Sequence, residues 1–335
     1  MTNIEAFGTL PNGQMVEQIK LKGGGLSTNI LTYGAVVQDL RLDGHAPPLV
    51  LGLNTLEDYL NHSKSFGIIA GRCANRIAHG RFEIDGTSYQ LDQNFLEKHH
   101  LHGGSDGCGK RNWHIEQASD HSVSLSINLD DGHMGYPGEI RILVHYALLD
   151  GGVLDIRFET MSDEPTLCNL AAHSYFNLDG SRNILDHTLQ MDADHFLPVD
   201  DELIPTGEQK SVEGDGFDFR SAKPLRDVCA QGLIDHNFCL SHGREALRQV
   251  AVLSAPATGV SMTIRTTEPG LQIFDGSKLD VPVTGLDDQK LGAYAGIAME
   301  PQVWPDAINH PDWAQPVLRP GEIYRQHSQF VFSKP

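Results

Sequence analysis

The chain has 335 residues, 40% of them hydrophobic, which is enough to bury a sizeable core, and an all-β protein of this length can do so in one domain. Its formal charge of -19 disfavours nucleic acid, an anionic membrane or a polyphosphate as partner, since each is repelled before local contacts form, while a neutral, sugar-like ligand is unaffected. Five scattered cysteines (Cys73, Cys108, Cys168, Cys229, Cys239) make no C-x-x-C and no short Cys/His spacing, so free thiols in a reducing compartment are expected. The first residues lack a basic start followed by an apolar run, and no uncharged stretch is long enough to span a bilayer. The expectation is a soluble, cytoplasmic protein, monomeric or homodimeric.

Taken in chain order, the elements are short strands joined by tight turns. TLEDYL at 55–60 reads as a short helix. RFEI-DG-TSYQL reads as a hairpin, with Phe82 and Ile84 leading into the turn and Tyr89 and Leu91 leading out. Asp-Gly occurs eight times, and this dipeptide suits the positive φ angles of two-residue hairpin turns. A period of two runs through SVSLSINL, EIRILVHYAL and VLDIRFET, then again through VSMTIRTT and the closing QFVFS. SAKPLRDV at 221–228 is a second short helix, and neither helix is long enough to cross a parallel sheet. The economical architecture is all-β, antiparallel sheets packed face to face in a large sandwich. No linker divides the chain, so one domain over residues 1–335 is expected; the run of similar hairpins leaves a propeller as the structural alternative.

Five segments place polar residues in apolar or glycine-rich surroundings. They are GRCANRIAHGRF at 71–82 with Asn75 and Arg76, LHGG at 101–104 with His102, NLAAHSYFNL at 169–178 with His173, LIDHNFCL at 233–240 with Asp235, and AMEPQVWPDAINHP at 298–311 with Glu300. Each alone has a plain explanation. A lone histidine in a strand-rich core is ordinarily satisfied by hydrogen bonds, an arginine before an apolar residue is a surface ion-pair partner, and a glutamate before proline is a solvated strand end. His99, His100 and His102 fall close together and could ligate a metal in a cupin-like barrel, but no partner stands at a diagnostic spacing, so no metal is expected.

All five segments, in this order, closely resemble the pattern of the aldose 1-epimerases, also called galactose mutarotases. The resemblance extends to the flanking hairpins, to PGLQIFDG at 269–276 and to the final strand. It implies a galactose mutarotase-like β-sandwich with its site in an open cleft on one sheet. It also implies Glu300 as general base and His173 as general acid on the sugar ring oxygen. Asn75, Arg76, His102, Tyr175, Asp235 and Gln272 match positions that contact the sugar, and no metal or redox cofactor is implied. Ala171-Ala172 before the histidine and Pro301 after Glu300 depart from the family pattern.

The chemistry explains these residue types. Interconverting anomers requires a proton to leave the C1 hydroxyl while another reaches the ring oxygen, so that the ring opens to the aldehyde; rotation about C1–C2 and reclosure give the other anomer. A carboxylate and an imidazolium serve both directions. Their mutual proximity is expected to favour the charged pair, Glu300 ionised and His173 protonated. Trp304, Phe274 and Tyr175 are offered as aromatic surfaces for the pyranose, or as sandwich core. Free aldoses such as galactose or glucose are the expected substrates; the alternatives are hexose 6-phosphates, for which no basic cluster beyond Arg76 is visible, and a sugar-binding protein without catalysis.

Overall fold

The computed structural model describes residues 3–334, and each of its extended strand pairings is antiparallel. The long alternating segments form the centre of a nine-stranded sheet. Ser122–Leu129 pairs with Ile140–Leu149, which pairs with Val153–Ser162, and this in turn pairs with Tyr324–Ser333 and so with Val260–Thr266. Registers such as Leu125↔Val144↔Phe158 stack the apolar alternates of successive strands on one face. A shift of one residue would turn each of these rows to solvent, so the period of two fixes the pairing.

Opposite this face lies a six-stranded sheet in the order Tyr175–Phe176, Ile297–Gln302, Gly270–Phe274, Asp235–Cys239, His195–Phe196, Lys210–Ser211. Leu271, Ile273, Ile297, Met299 and Phe238 from this sheet share one core cluster with Val144, Phe158, Ile264 and Phe330 from the larger one. The two sheets are therefore packed face to face, as expected, and the propeller is ruled out. A four-stranded sheet, built from Asn3–Thr9, Met15–Gly23, Leu26–Leu31 and Val37–Leu42, adds Ile19, Leu26 and Val37 to the same cluster. Each fully buried aliphatic or aromatic side chain stabilises the fold by about 1.5–3 kcal/mol.

The turn chemistry is legible residue by residue. Asp85 and Gly86, at φ 52° and 80°, are the two loop residues between Ile84 and its partner Thr87. Gly24 and Gly25, at φ 60° and 88°, do the same between Gly23 and Leu26. Asp275-Gly276, by contrast, follows the end of the strand Gly270–Phe274 and closes no hairpin. The first short helix is Leu56–His62, with the Thr55 hydroxyl accepting from the Asp58 N–H at 3.1 Å. The second is only Leu225–Cys229. All five cysteines are free thiols, and among the described residues no helix is long and apolar enough to cross a membrane.

Candidate active site

The six-stranded sheet turns its apolar alternates to the core, which leaves its other alternates on the opposite face. Registers Tyr175↔Ala298, Gln272↔Glu300 and Asp235↔Phe274 set these side chains in adjacent rows. Alternation alone thus brings a tyrosine, a glutamate, a glutamine and an aspartate from four strands onto one floor. They line a cleft of about 870 Å³.

Loops supply the wall. Asn75 sits in the left-handed region at φ 63°, a conformation asparagine tolerates, and His102 follows suit at φ 51°. The two clasp each other: the His102 N–H donates to the Asn75 carbonyl at 3.0 Å, and the Asn75 N–H donates to His102 Nδ1 at 3.1 Å. His102 Nδ1 is therefore the acceptor and Nε2 carries the proton. Gly103 continues at φ 84°, and a Cβ there would lie 1.7 Å from the Gly71 carbonyl oxygen, so the glycine after His102 is required by space as well as by φ.

His173 enters from the sheet side. Its N–H donates to the Ile68 carbonyl at 2.9 Å and its carbonyl accepts from the Gly67 N–H at 3.0 Å. Just before it, Ala171 and Ala172 pair with Ala70 and Ile69, and the small side chains of Ala70, Ala74 and Ala171 pack together. That packing gives the alanine departure from the family pattern a local structural role.

His173 Nε2 lies 3.4 Å from Glu300 Oε1, and both side chains are buried. His173 Nδ1 and Glu300 Oε2 have no protein partner. The His173 ring stands edge-on to His102, with centroids 5.1 Å apart, and tilts over Tyr175 at 5.1 Å. Beside this pair, Asp235 accepts from Arg76 Nη2 at 3.0 Å and from Gln272 Nε2 at 2.7 Å, while the Arg76 guanidinium lies over the Phe95 ring at 4.7 Å. Gln272 Oε1 and Arg76 Nε are left without protein partners. Buried polar atoms of this kind, gathered in one cleft, are groups awaiting a polyhydroxylated ligand or water.

The protonation expected from proximity is reversed by burial. Loss of water drives the His173 imidazole down to about 4. The same desolvation, reinforced by the negative Asp235, raises the Glu300 carboxyl well above the usual range, against the pull of Arg76. Both shifts favour neutral forms, because neither group has hydrogen bonds enough to replace hydration of a charge. His102 is held neutral too, by burial first and by its neighbour His173 second.

All eight residues singled out in the sequence, Asn75, Arg76, His102, His173, Tyr175, Asp235, Gln272 and Glu300, line this one cleft. Phe274 lines it as well. Trp304 does not: its indole N–H donates to the Pro269 carbonyl at 2.9 Å and its ring packs edge-on against Trp313. His99 and His100 part company with His102. His99 Nδ1 accepts from the His79 N–H at 2.9 Å, and His100 is fixed between the Asp92 carbonyl and the Tyr136 hydroxyl. Sequence reasoning missed Phe95, Leu203, Lys64 and Lys278 on the rim. They stand in loops without periodicity, so nothing in the chain marks them.

The sequence model of the family described as Aldose 1-epimerase matches residues 17–331. Galactose mutarotase from Rattus norvegicus is 40% identical over 98% of this chain and 97% of its own length. Aldose 1-epimerase from Escherichia coli (strain K12) is 34% identical over 96% of each. Among solved structures, an aldose epimerase homologue from C. elegans superposes with a TM-score of 0.89 at 31% identity, covering 95% of this chain and 98% of that one. Galactose 1-epimerase from Lactobacillus acidophilus NCFM gives 0.86 at 29% identity, covering 100% and 99%. A family match across almost the whole chain, together with relatives above 30% identity on a shared fold, leads to one conclusion: the chain belongs to the aldose 1-epimerase family and is an enzyme of the isomerase type.

Proposed function

We propose that the protein interconverts the α and β anomers of free aldoses such as galactose or glucose, with Glu300 as base and His173 as acid. The observation that carries this reading is the facing pair itself, His173 Nε2 and Glu300 Oε1 at 3.4 Å on the floor of a cleft rich in groups that bind hydroxyls. The two oxygens on an anomeric carbon are close neighbours, so one can address each member of such a pair.

In ring opening, Glu300 takes the proton of the C1 hydroxyl and that oxygen becomes the carbonyl. The C1–O5 bonding pair passes to O5, which takes the proton of His173. The enzyme begins this step as carboxylate and imidazolium and ends it as carboxylic acid and imidazole. Burial favours the neutral pair, so ring opening returns what forming the charged pair costs, and the neutral pair stands ready to run both transfers backwards after C1–C2 rotation. In the empty cleft one proton shared between the two groups suffices, since its transfer from Glu300 to His173 yields the productive arrangement without exchange with solvent. The free N–H of His102 donates to a sugar oxygen. Asp235, Gln272, Arg76 and Asn75 hold the remaining hydroxyls, where a wrong epimer leaves a partner unpaired.

Polarimetry of freshly dissolved α-D-galactose and α-D-glucose tests the reading: the protein should accelerate relaxation to anomeric equilibrium, and unchanged relaxation over a panel of free aldoses would sink it. A second reading, a hexose 6-phosphate substrate, draws support from Lys64 and Lys278, which the fold brings to the same cleft as Arg76. Asp200, Asp201 and Glu202 on the same rim oppose it. A faster reaction with glucose 6-phosphate than with glucose would favour this second substrate.

A further inference from the structure

The strand that carries Glu300 is supported unevenly. On one side, Ile297–Gln302 pairs along its length with Gly270–Phe274, from Ala298↔Phe274 to Gln302↔Gly270. On the other side, the segment bearing His173 pairs with it only through Tyr175↔Ala298 and Phe176↔Ile297. Beyond Ala298 the ladder stops: Ala171–Ala172 runs close to this strand but pairs with Ile69–Ala70 instead, and among the described residues no strand pairs with residues 299–303 along that flank. His173 and Glu300 meet across this opening, so its width sets their distance.

Side-chain amides bridge the opening. Asn169 Oδ1 accepts from the Val303 N–H at 2.9 Å and Asn169 Nδ2 donates to the Val303 carbonyl at 3.2 Å, a two-pronged contact that stands in for a rung of the sheet. The backbone of Asn169 holds a third segment: its N–H donates to the Arg72 carbonyl at 3.1 Å and its carbonyl accepts from the Ala74 N–H at 2.6 Å. One buried residue thus joins the chain four positions before His173, the chain three positions after Glu300, and the chain just before Asn75 and Arg76. Nearby, Gln326 Nε2 donates to the Pro301 carbonyl at 2.9 Å, and the Tyr324 hydroxyl, which donates to Gln326 Oε1, accepts from the Leu170 N–H at 3.2 Å.

We propose that Asn169 is a positioning residue that sets the separation of His173 and Glu300 by clamping the unpaired flank of the Glu300 strand. It touches no substrate. Its consequence is kinetic because a catalytic pair displaced by a fraction of its spacing transfers protons poorly, and misplacement by about 1 Å can cost on the order of 100-fold. The kinetic half of this proposal rests on the anomerase reading; the geometric half does not.

The test uses Asn169→Leu, which keeps the branched heavy-atom skeleton and removes both amide contacts, beside Asn169→Asp, which keeps the acceptor for the Val303 N–H and loses the donor. Galactose kinetics are measured well below the melting temperature and per folded protein by circular dichroism. N169L should lose on the order of 100-fold in kcat with KM little changed, and N169D should fall between N169L and the native chain. In ¹⁵N-histidine-labelled protein, the His173 ring resonances, assigned with H173N, should move in N169L while those of the remote His187 stay. Full kcat in folded N169L, or an unmoved His173 signal, overturns the proposal; so does failure of both variants to fold, which would assign Asn169 to stability alone. A moved His173 signal in a protein without anomerase activity would uphold the clamp and refute the function.

Discussion

Replacing Glu300 by glutamine removes the proposed base while changing little else. The side chain is buried, keeps its volume, and has one oxygen, Oε2, with no protein partner. Its carboxyl is already driven toward the neutral acid by desolvation and then by Asp235. A neutral amide therefore removes no settled buried charge, and stability should stay within about 1 kcal/mol of the native chain. A positioned general base contributes roughly 10²- to 10⁴-fold, which is about 3–5 kcal/mol of transition-state stabilisation. E300Q should lose that much kcat in a polarimetric galactose assay, with sugar binding retained because Asp235, Gln272 and Arg76 are untouched. His173→Asn should cost a comparable factor. Because the two groups work as one proton-transferring unit, the double variant should be little worse than the poorer single one. Two results would refute the reasoning: E300Q retaining more than about a tenth of native kcat, or the two losses multiplying.

Acid should silence the enzyme late. The depressed His173 imidazole stays neutral down to about 4, so kcat/KM is present above that pH and falls below it as a second proton enters the pair; half-loss near the ordinary histidine value instead would show that the pair is not desolvated. Asp235→Ala strips the carboxylate from a guanidinium whose side chain is 9% exposed, and should cost about 3 kcal/mol in urea unfolding together with a raised sugar KM. An unchanged midpoint would count against the buried ion pair. Gly103→Ala must push against the Gly71 carbonyl from a left-handed backbone, at a cost of about 2 kcal/mol or more, and should displace His102 and lower kcat/KM. Native melting and native kcat/KM in that variant would contradict the packing around the HGG turn.

Much of the sheet structure is visible in the chain because a period of two is local. SVSLSINL and EIRILVHYAL announce strands, and Asp85-Gly86 announces its own turn, since φ angles and side-chain direction depend on neighbours a few residues away. The same periodicity is present, unnoticed, in the site strands. Leu271 and Ile273 alternate with Gln272 and Phe274, and Met299 stands beside Glu300, so each strand already separates a core face from a cleft face. These segments are short, and only the family resemblance drew attention to their polar members.

The resting protonation of the pair differs from the sequence expectation for a different reason. Proximity of opposite charges is conceivable from a sequence, whereas desolvation depends on everything packed around the pair, and here burial outweighs attraction. Of the two roles the sequence leaves open for Trp304, sugar surface or core, the fold takes the second: four residues beyond Glu300, along a twisted strand and its following turn, it packs among Leu197, Val303 and Trp313.

By itself, then, the sequence determined the strand periodicity, the turn positions and the family, since each is written in residue types at short spacing. Tertiary structure decided which segments meet: that Asp235 bridges Arg76 and Gln272, that Lys64 and Lys278 share the cleft, and that Asn169 reaches Val303 across an unpaired edge. These residues are far apart in the chain, Arg76 and Asp235 by 159 positions. They follow from which faces the sheets bury against one another, and no local pattern encodes them.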